Sequence, residues 1–96
     1  MILPILTALA EPTRLSAMSI IWDGGEHCVC ELMALLDASQ SRMSRHMQTL
    51  KQAGLIVDRR DAQWVRYRVN PDLPAEIRDV VAAVMAAAPK EQRSAA

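Results

Sequence analysis

Residues Asp37 to Leu55 read D-A-S-Q-S-R-M-S-R-H-M-Q-T-L-K-Q-A-G-L, and the reading of this stretch decides the fold. At about 3.6 residues per turn, Met43, Met47 and Leu50 share one helical face while Ser41, Arg45, Gln48 and Gln52 share the opposite one. The outer face carries hydroxyl, amide and guanidinium groups, with no acid from Gln40 through Val57. Arginine can donate a pair of hydrogen bonds to guanine, glutamine can pair with adenine, and serine can bond base edges or phosphates, so the face suits the major groove of DNA. Its ends are marked: Ser39 is placed to cap the first free N–H groups, and Gly54 offers a left-handed residue after the last turn, with Leu55 folding back towards Leu50.

On the N-terminal side, Cys28 to Leu36 reads as another helix with Leu32, Leu35 and Leu36 inward, joined to the first by the three-residue turn Asp37-Ala38-Ser39. Two helices so joined form a helix-turn-helix whose second member is the reader. On the C-terminal side the period changes to two. Leu55, Val57 and Arg59 fall on one side of a strand, Val65, Tyr67 and Val69 on one side of a second, and Arg60-Asp61-Ala62-Gln63 turns between them. A basic hairpin directly after a reading helix is a wing, and Arg59, Arg60, Arg66 and Arg68 are placed for phosphate or the minor groove.

Further out, Ile2 to Leu9 is apolar nearly all round and needs cover from another element or subunit. Pro12 starts a second helix, with Leu15, Met18 and Trp22 as its stripe, ending at Gly24-Gly25. Pro71 and Pro74 precede a last helix from Ala75 to Ala88, in which Ile77, Val80, Val81, Val84 and Met85 form a continuous seam. With Ile2 and Leu6, this seam is the expected homodimer interface. The architecture expected is mainly α with a β-hairpin: a winged helix-turn-helix of about five helices and a two-stranded wing, one domain over 1–96. Pro89 should end the last helix, and 90–96 should be a frayed tail.

The chain has 96 residues and a formal net charge of zero, which taken alone argues against a nucleic-acid partner. The distribution reverses that argument. From Ser39 to Val69 seven basic residues (Arg42, Arg45, Lys51, Arg59, Arg60, Arg66, Arg68) face two acids (Asp58, Asp61), and the rest of the chain offsets them. DNA affinity should therefore be local and salt-dependent. No apolar run is long enough to span a membrane and no basic signal-peptide start is present, so a cytoplasmic protein is expected. The two cysteines, one residue apart, are poor candidates for a structural disulfide in a reducing compartment, which favours metal or redox chemistry.

Read together, A-L-A-E-P-T-R-L at 8–15, C-V-C-E-L at 28–32, S-R-H-M-Q-T-L-K-Q-A-G-L at 44–55 and D-R-R-D-A-Q-W-V-R-Y-R-V-N-P at 58–71 resemble the arsenical-resistance repressor (ArsR/SmtB) family of bacterial winged-helix metal sensors. The resemblance covers nearly the whole chain. It implies a homodimer, with the first and last helices at its interface, that binds an operator of inverted symmetry and releases it when a metal or metalloid binds. It also implies that Cys28 and Cys30 are arsenite ligands and that Ser44, Arg45 and His46 belong to the DNA-reading motif. Met33 stands where some members have a third cysteine, Ala62 where a wing glycine is common, and 75–88 lacks the histidine that a zinc site on the last helix requires.

Soft thiolates favour As(III), Sb(III), Cd(II), Hg(II) or Cu(I) over hard cations. On a regular helix two residues that are two apart point away from each other, so joint ligation requires a non-helical backbone at Cys28, or distortion of that turn on binding. His27 and Met33 are further candidate ligands, though His27 reads first as a surface or capping residue. Trivalent arsenic commonly takes three sulfurs, so a small thiol or solvent would complete the set. The DNA-contact candidates are Ser39, Gln40, Ser41, Ser44, Arg45, His46, Gln48, Arg59, Arg60 and Arg66. The reading is a repressor of an arsenic-resistance operon, released by As(III) or Sb(III) and holding no constitutive cofactor; its alternatives are a thiol-based redox or sulfur-species sensor, or a sensor of another soft metal such as Cd(II). An enzyme is not expected, since C-x-x-C, a cysteine-initiated phosphate loop and a glycine-rich phosphate cradle are all absent.

Overall fold

The computed structural model describes residues 2–88. The expectations for Pro89 and for the tail 90–96 lie outside the described residues. Along the chain run α1 (Ile2–Leu9), α2 (Pro12–Ile21), β1 (His27–Cys28), α3 (Val29–Leu36), α4 (Gln40–Gln52), β2 (Ile56–Asp61), β3 (Trp64–Val69) and α5 (Ala75–Ala87).

Local chemistry sets most of these boundaries. Glu11 caps α2, its carboxylate accepting the Arg14 backbone N–H at 2.8 Å, and Pro12 fills the first turn, where no N–H is needed. Ser39 caps α4 by accepting the Arg42 N–H at 3.3 Å. After α4, Gly54 adopts φ +86°, the Leu55 N–H reaches Leu50 O at 3.1 Å and the Gly54 N–H reaches Lys51 O at 2.9 Å. These are the two bonds of a Schellman motif, and they return Leu55 to the core as fully buried. Asp37 ends α3 in the left-handed region at φ 53°, a conformation aspartate tolerates better than most side chains.

The wing is larger than the two strands expected. Its sheet has the order β1-β3-β2, antiparallel throughout, because His27 and Cys28 pair with Tyr67 and Arg66 of β3. Two residues are too few to show a period of two, and Cys28 had been placed inside α3, which in fact begins at Val29. The hairpin turn is also tighter than expected, with Asp61 paired to Trp64 and only Ala62 and Gln63 between them. In β2 the inward residue is Ile56, facing Val69 across the ladder, rather than Val57; Leu55 is buried before the strand begins.

The buried residues form one cluster drawn from all five helices and the sheet, with Met18, Ile21, Leu32, Met43, Met47 and Leu50 fully enclosed. A second correction concerns α5. Val81 is fully buried and Ile77 and Met85 nearly so within this single chain, so they have little surface left to bury against a partner. The outward edge of the seam is Val80, which is 40% exposed, with Val84 half-buried beside it. On α1 the exposed apolar residues are Ile2, Leu3 and Leu6, while Ile5 points into the core. A continuous apolar seam does not by itself tell a helix which half faces its own domain. Arg78 of α5 lies 5.8 Å from the Trp22 ring, a cation–π contact that ties the last helix to the end of α2.

Candidate DNA interface and thiol site

Helix α4 buries Met43, Met47 and Leu50 and leaves Gln40, Ser41, Arg42, Ser44, Arg45 and Gln48 exposed, with the capping Ser39 at its head. Among the described residues the guanidiniums of Arg42 and Arg45 have no side-chain partner, so both are available to an anion or a base edge. His46 departs from the sequence expectation. Its side chain is only 16% exposed, and its Nδ1 lies 3.2 Å from Arg14 Nη1 of α2. It faces the rest of the protein rather than solvent.

The wing arginines divide into two pairs. Arg59 is held by Glu26 in a two-pronged ion pair, and Arg66 by Asp61 at 2.8 Å. The Arg59 hydrogen bonds hold the Glu26 carboxyl below its usual pKa, and Arg66 does the same for Asp61. Arg60 and Arg68 are exposed and have no ion pair among the described residues. Two of the four wing arginines expected to reach DNA, Arg59 and Arg66, are therefore already neutralised within the chain, while Arg60 and Arg68 remain available, as does Arg42 of α4. Trp64, at the wing tip, is 40% exposed.

Cys28 closes β1 and is also the N-cap of α3, with an extended backbone at φ −70° and ψ 147°. That conformation turns its side chain over the first helical turn, where Sγ accepts the Cys30 N–H at 3.2 Å. The condition for convergence, a non-helical residue at Cys28, is met without unwinding α3. The two sulfurs are paired across a Cα–Cα distance of 5.2 Å, so both side chains converge on one point. Cys28 is buried and Cys30 exposed, so the site has an open side.

His27 is buried at 8% exposure rather than lying on the surface. Its Nε2 meets Asp23 Oδ1 at 2.8 Å and its Nδ1 meets Glu31 Oε2 at 3.0 Å. Burial pulls its pKa down, but the hydrogen bonds it donates to Asp23 and Glu31, with the charge of the two carboxylates, outweigh that and leave it raised. With both ring nitrogens donating to carboxylates, the imidazole presents no lone pair to a ligand. Met33 packs against the core. Among the described residues no group of three or more His, Cys, Asp or Glu is gathered to hold a metal ion. What the chain offers is a pair of sulfurs able to meet at one atom.

A helix-turn-helix followed by a basic hairpin, which a short strand ahead of α3 extends to three strands, is a winged helix-turn-helix, the architecture of DNA-binding regulators. Comparison with known proteins gives the family: the description "Bacterial regulatory protein, arsR family" matches residues 11–57. The chain is 43% identical over 77 residues to the arsenic resistance transcriptional regulator ArsR2 of Pseudomonas putida, covering 80% of this chain and 67% of that protein. It is 45% identical over 67 residues to the arsenical resistance operon repressor of Escherichia coli, covering 70% of this chain and 57% of the relative, so it spans little more than half of that protein's length. Among solved structures, HlyU from Vibrio cholerae superposes with a TM-score of 0.76 at 29% identity, covering 88% of each chain. The chain belongs to the arsR family of bacterial regulatory proteins. Among the described residues no helix is long and apolar enough to cross a membrane.

Proposed function

We propose that this chain is a cytoplasmic homodimeric repressor of an arsenic-resistance operon. It would bind an operator of inverted symmetry through α4 and the wing, and release it when Cys28 and Cys30 take up As(III) or Sb(III). The exposed Ser41, Ser44, Arg45 and Gln48 read bases, Ser39, Gln40 and Arg42 approach the backbone, and Arg60 and Arg68 reach phosphate from the wing. Ile2, Leu3 and Leu6 of α1 and Val80 and Val84 of α5 form the dimer contact. The names of the similar repressors in Pseudomonas putida and Escherichia coli support the arsenic reading.

The observation that carries the proposal is the placement of Cys28. As the last residue of β1 and the cap of α3, it stands where the wing sheet joins the helix-turn-helix, so a ligand there acts on both DNA-contacting elements at once. The disulfide must first be reduced to two thiols by two equivalents of a small exogenous thiol, which leave as their own disulfide. Arsenous acid then condenses with them, forming two As–S bonds and releasing two waters. A small exogenous thiol displaces the remaining hydroxyl as a third water, since both ring nitrogens of His27 are engaged by carboxylates and Met33 packs against the core. Linkage requires that DNA weaken arsenite binding by the factor by which arsenite weakens DNA binding.

The test is fluorescence anisotropy on a duplex enriched from a random-sequence pool, with the protein kept reduced. Stoichiometric arsenite should release the duplex from the parent protein and from Met33→Ala, but not from Cys28→Ser or Cys30→Ser. Release that is unchanged in both serine variants would sink the assignment. The sulfur pairing itself favours a second reading, in which an oxidant closes the disulfide and so controls DNA binding. Under that reading an oxidant without arsenite changes affinity, and a reductant reverses the change.

A further inference from the structure

Arg14 joins three helices. Its Nε donates to the Ala8 carbonyl in the last turn of α1 at 2.6 Å, its backbone N–H is capped by Glu11 at the start of α2, and its Nη1 lies 3.2 Å from His46 Nδ1 in the middle of α4. A guanidinium can only donate, so Nδ1 of His46 is the acceptor. The Glu11 carboxylate stands 3.9 Å from the same nitrogen. Ala8 is buried, and the carbonyls at a helix C-terminus lack partners within the helix, so this contact fixes the end of α1 rather than decorating it. His46 is flanked in sequence by Arg45, on the reading face, and Met47, fully buried.

We infer that Arg14 and His46 are positioning residues for DNA recognition: they fix the angle of α4 relative to α1, and with it the spacing between the two reading helices of the dimer. The inference rests on the proposed reading as a dimeric repressor. Under it α1 belongs to the interface, so a helix keyed to α1 is keyed to the symmetry axis. Arginine suits the task because its planar fork reaches two acceptors in fixed directions, whereas lysine carries a single mobile point of donation. His46 contributes without touching a base.

The test uses the reduced full chain and three duplexes: one enriched from a random pool, the same duplex with one half-site scrambled, and the same duplex with one base pair inserted at its centre. Arg14→Lys removes the fork, His46→Leu removes the acceptor, and His46→Asn keeps an acceptor at the Nδ1 position. Circular dichroism and sedimentation confirm that each variant is folded and dimeric. Arg14→Lys and His46→Leu should lose about tenfold in affinity for the intact duplex, the scale set by one charge-assisted hydrogen bond, and should keep their affinity for the single half-site. They should also discriminate less against the inserted base pair, and His46→Asn should restore both properties. Equal losses on the intact and half-site duplexes would make His46 a direct contact and overturn the inference, as would unchanged discrimination in all three variants. A parent protein that binds the intact and half-site duplexes equally would instead overturn the dimeric reading, and the inference with it.

Discussion

The guanidinium of Arg59 donates two 2.7 Å hydrogen bonds to the carboxylate of Glu26, Nε to Oε2 and Nη2 to Oε1, across 33 positions of sequence. The pair ties the middle of β2 to the residue just before β1, and it withholds one wing cation from DNA. Glu26→Gln should release Arg59 and steepen the dependence of log affinity on log salt by up to about 0.9, the increment for one additional phosphate contact. Arg60→Ala should flatten the same slope by a similar amount. Anisotropy titrations across a salt series measure both slopes, and a slope unmoved by Glu26→Gln would mean that Arg59 does not reach the backbone even when freed.

Val80 and Val81 are neighbours with opposite surroundings, one 40% exposed and the other fully buried. Val81→Asp places an unpaired charge in the protomer core, where the penalty of several kcal/mol exceeds what a small domain tolerates, and the chain should fail to fold. Val80→Asp should leave a folded monomer. Circular dichroism with sedimentation separates the two outcomes, and a Val80→Asp protein that remains dimeric would remove α5 from the interface.

Ala62 occupies the wing turn at φ 57°, a region that costs a residue with a Cβ roughly 1–2 kcal/mol. Glycine relieves that cost but loses about 0.4–1 kcal/mol through the greater freedom of the unfolded chain. Ala62→Gly should therefore raise stability by no more than about 1.6 kcal/mol, and Ala62→Val, β-branched at positive φ, should lower it. Thermal unfolding of the two variants, reversed in order, would contradict the turn geometry.

The raised pKa of His27 has a defined consequence for stability. A proton held more tightly in the folded state than in the unfolded one stabilises fully below the ordinary histidine value, and the contribution disappears as pH rises through the folded value. Urea midpoints from about pH 6 to about pH 9 should decline in the parent protein, and the decline should be shallower in His27→Gln. Identical profiles would mean that Asp23 and Glu31 do not hold the imidazolium.

Local signals were the legible part of this sequence. Ser39 and Gly54 act through bonds to residues a few positions away and Pro12 through its fixed φ, so the boundaries of α4 and the start of α2 are readable directly. The alternation of the wing strands was likewise visible, although the inward phase of β2 was not. Long-range pairings left no trace in periodicity: Arg14 and His46 lie 32 positions apart, and Glu26 and Arg59 lie 33 apart. That is why Arg59 counts as a free cation in the sequence, and why His46, which the family resemblance places in the DNA-reading motif, shows no sign there of its bond to Arg14. The seam of α5 was found correctly as apolar, but its division between core and surface depends on where α2 and the sheet sit.

An isolated two-stranded hairpin is marginally stable in water and would sample many shapes before meeting DNA. By lending β3 a second partner, His27 and Cys28 make the wing stiff in advance, so that less conformational entropy is lost when it docks. The same pairing places the reactive sulfur in the strand responsible for that stiffness. A chemical event at Cys28 can therefore weaken recognition by loosening the wing, with no contact to DNA itself being broken.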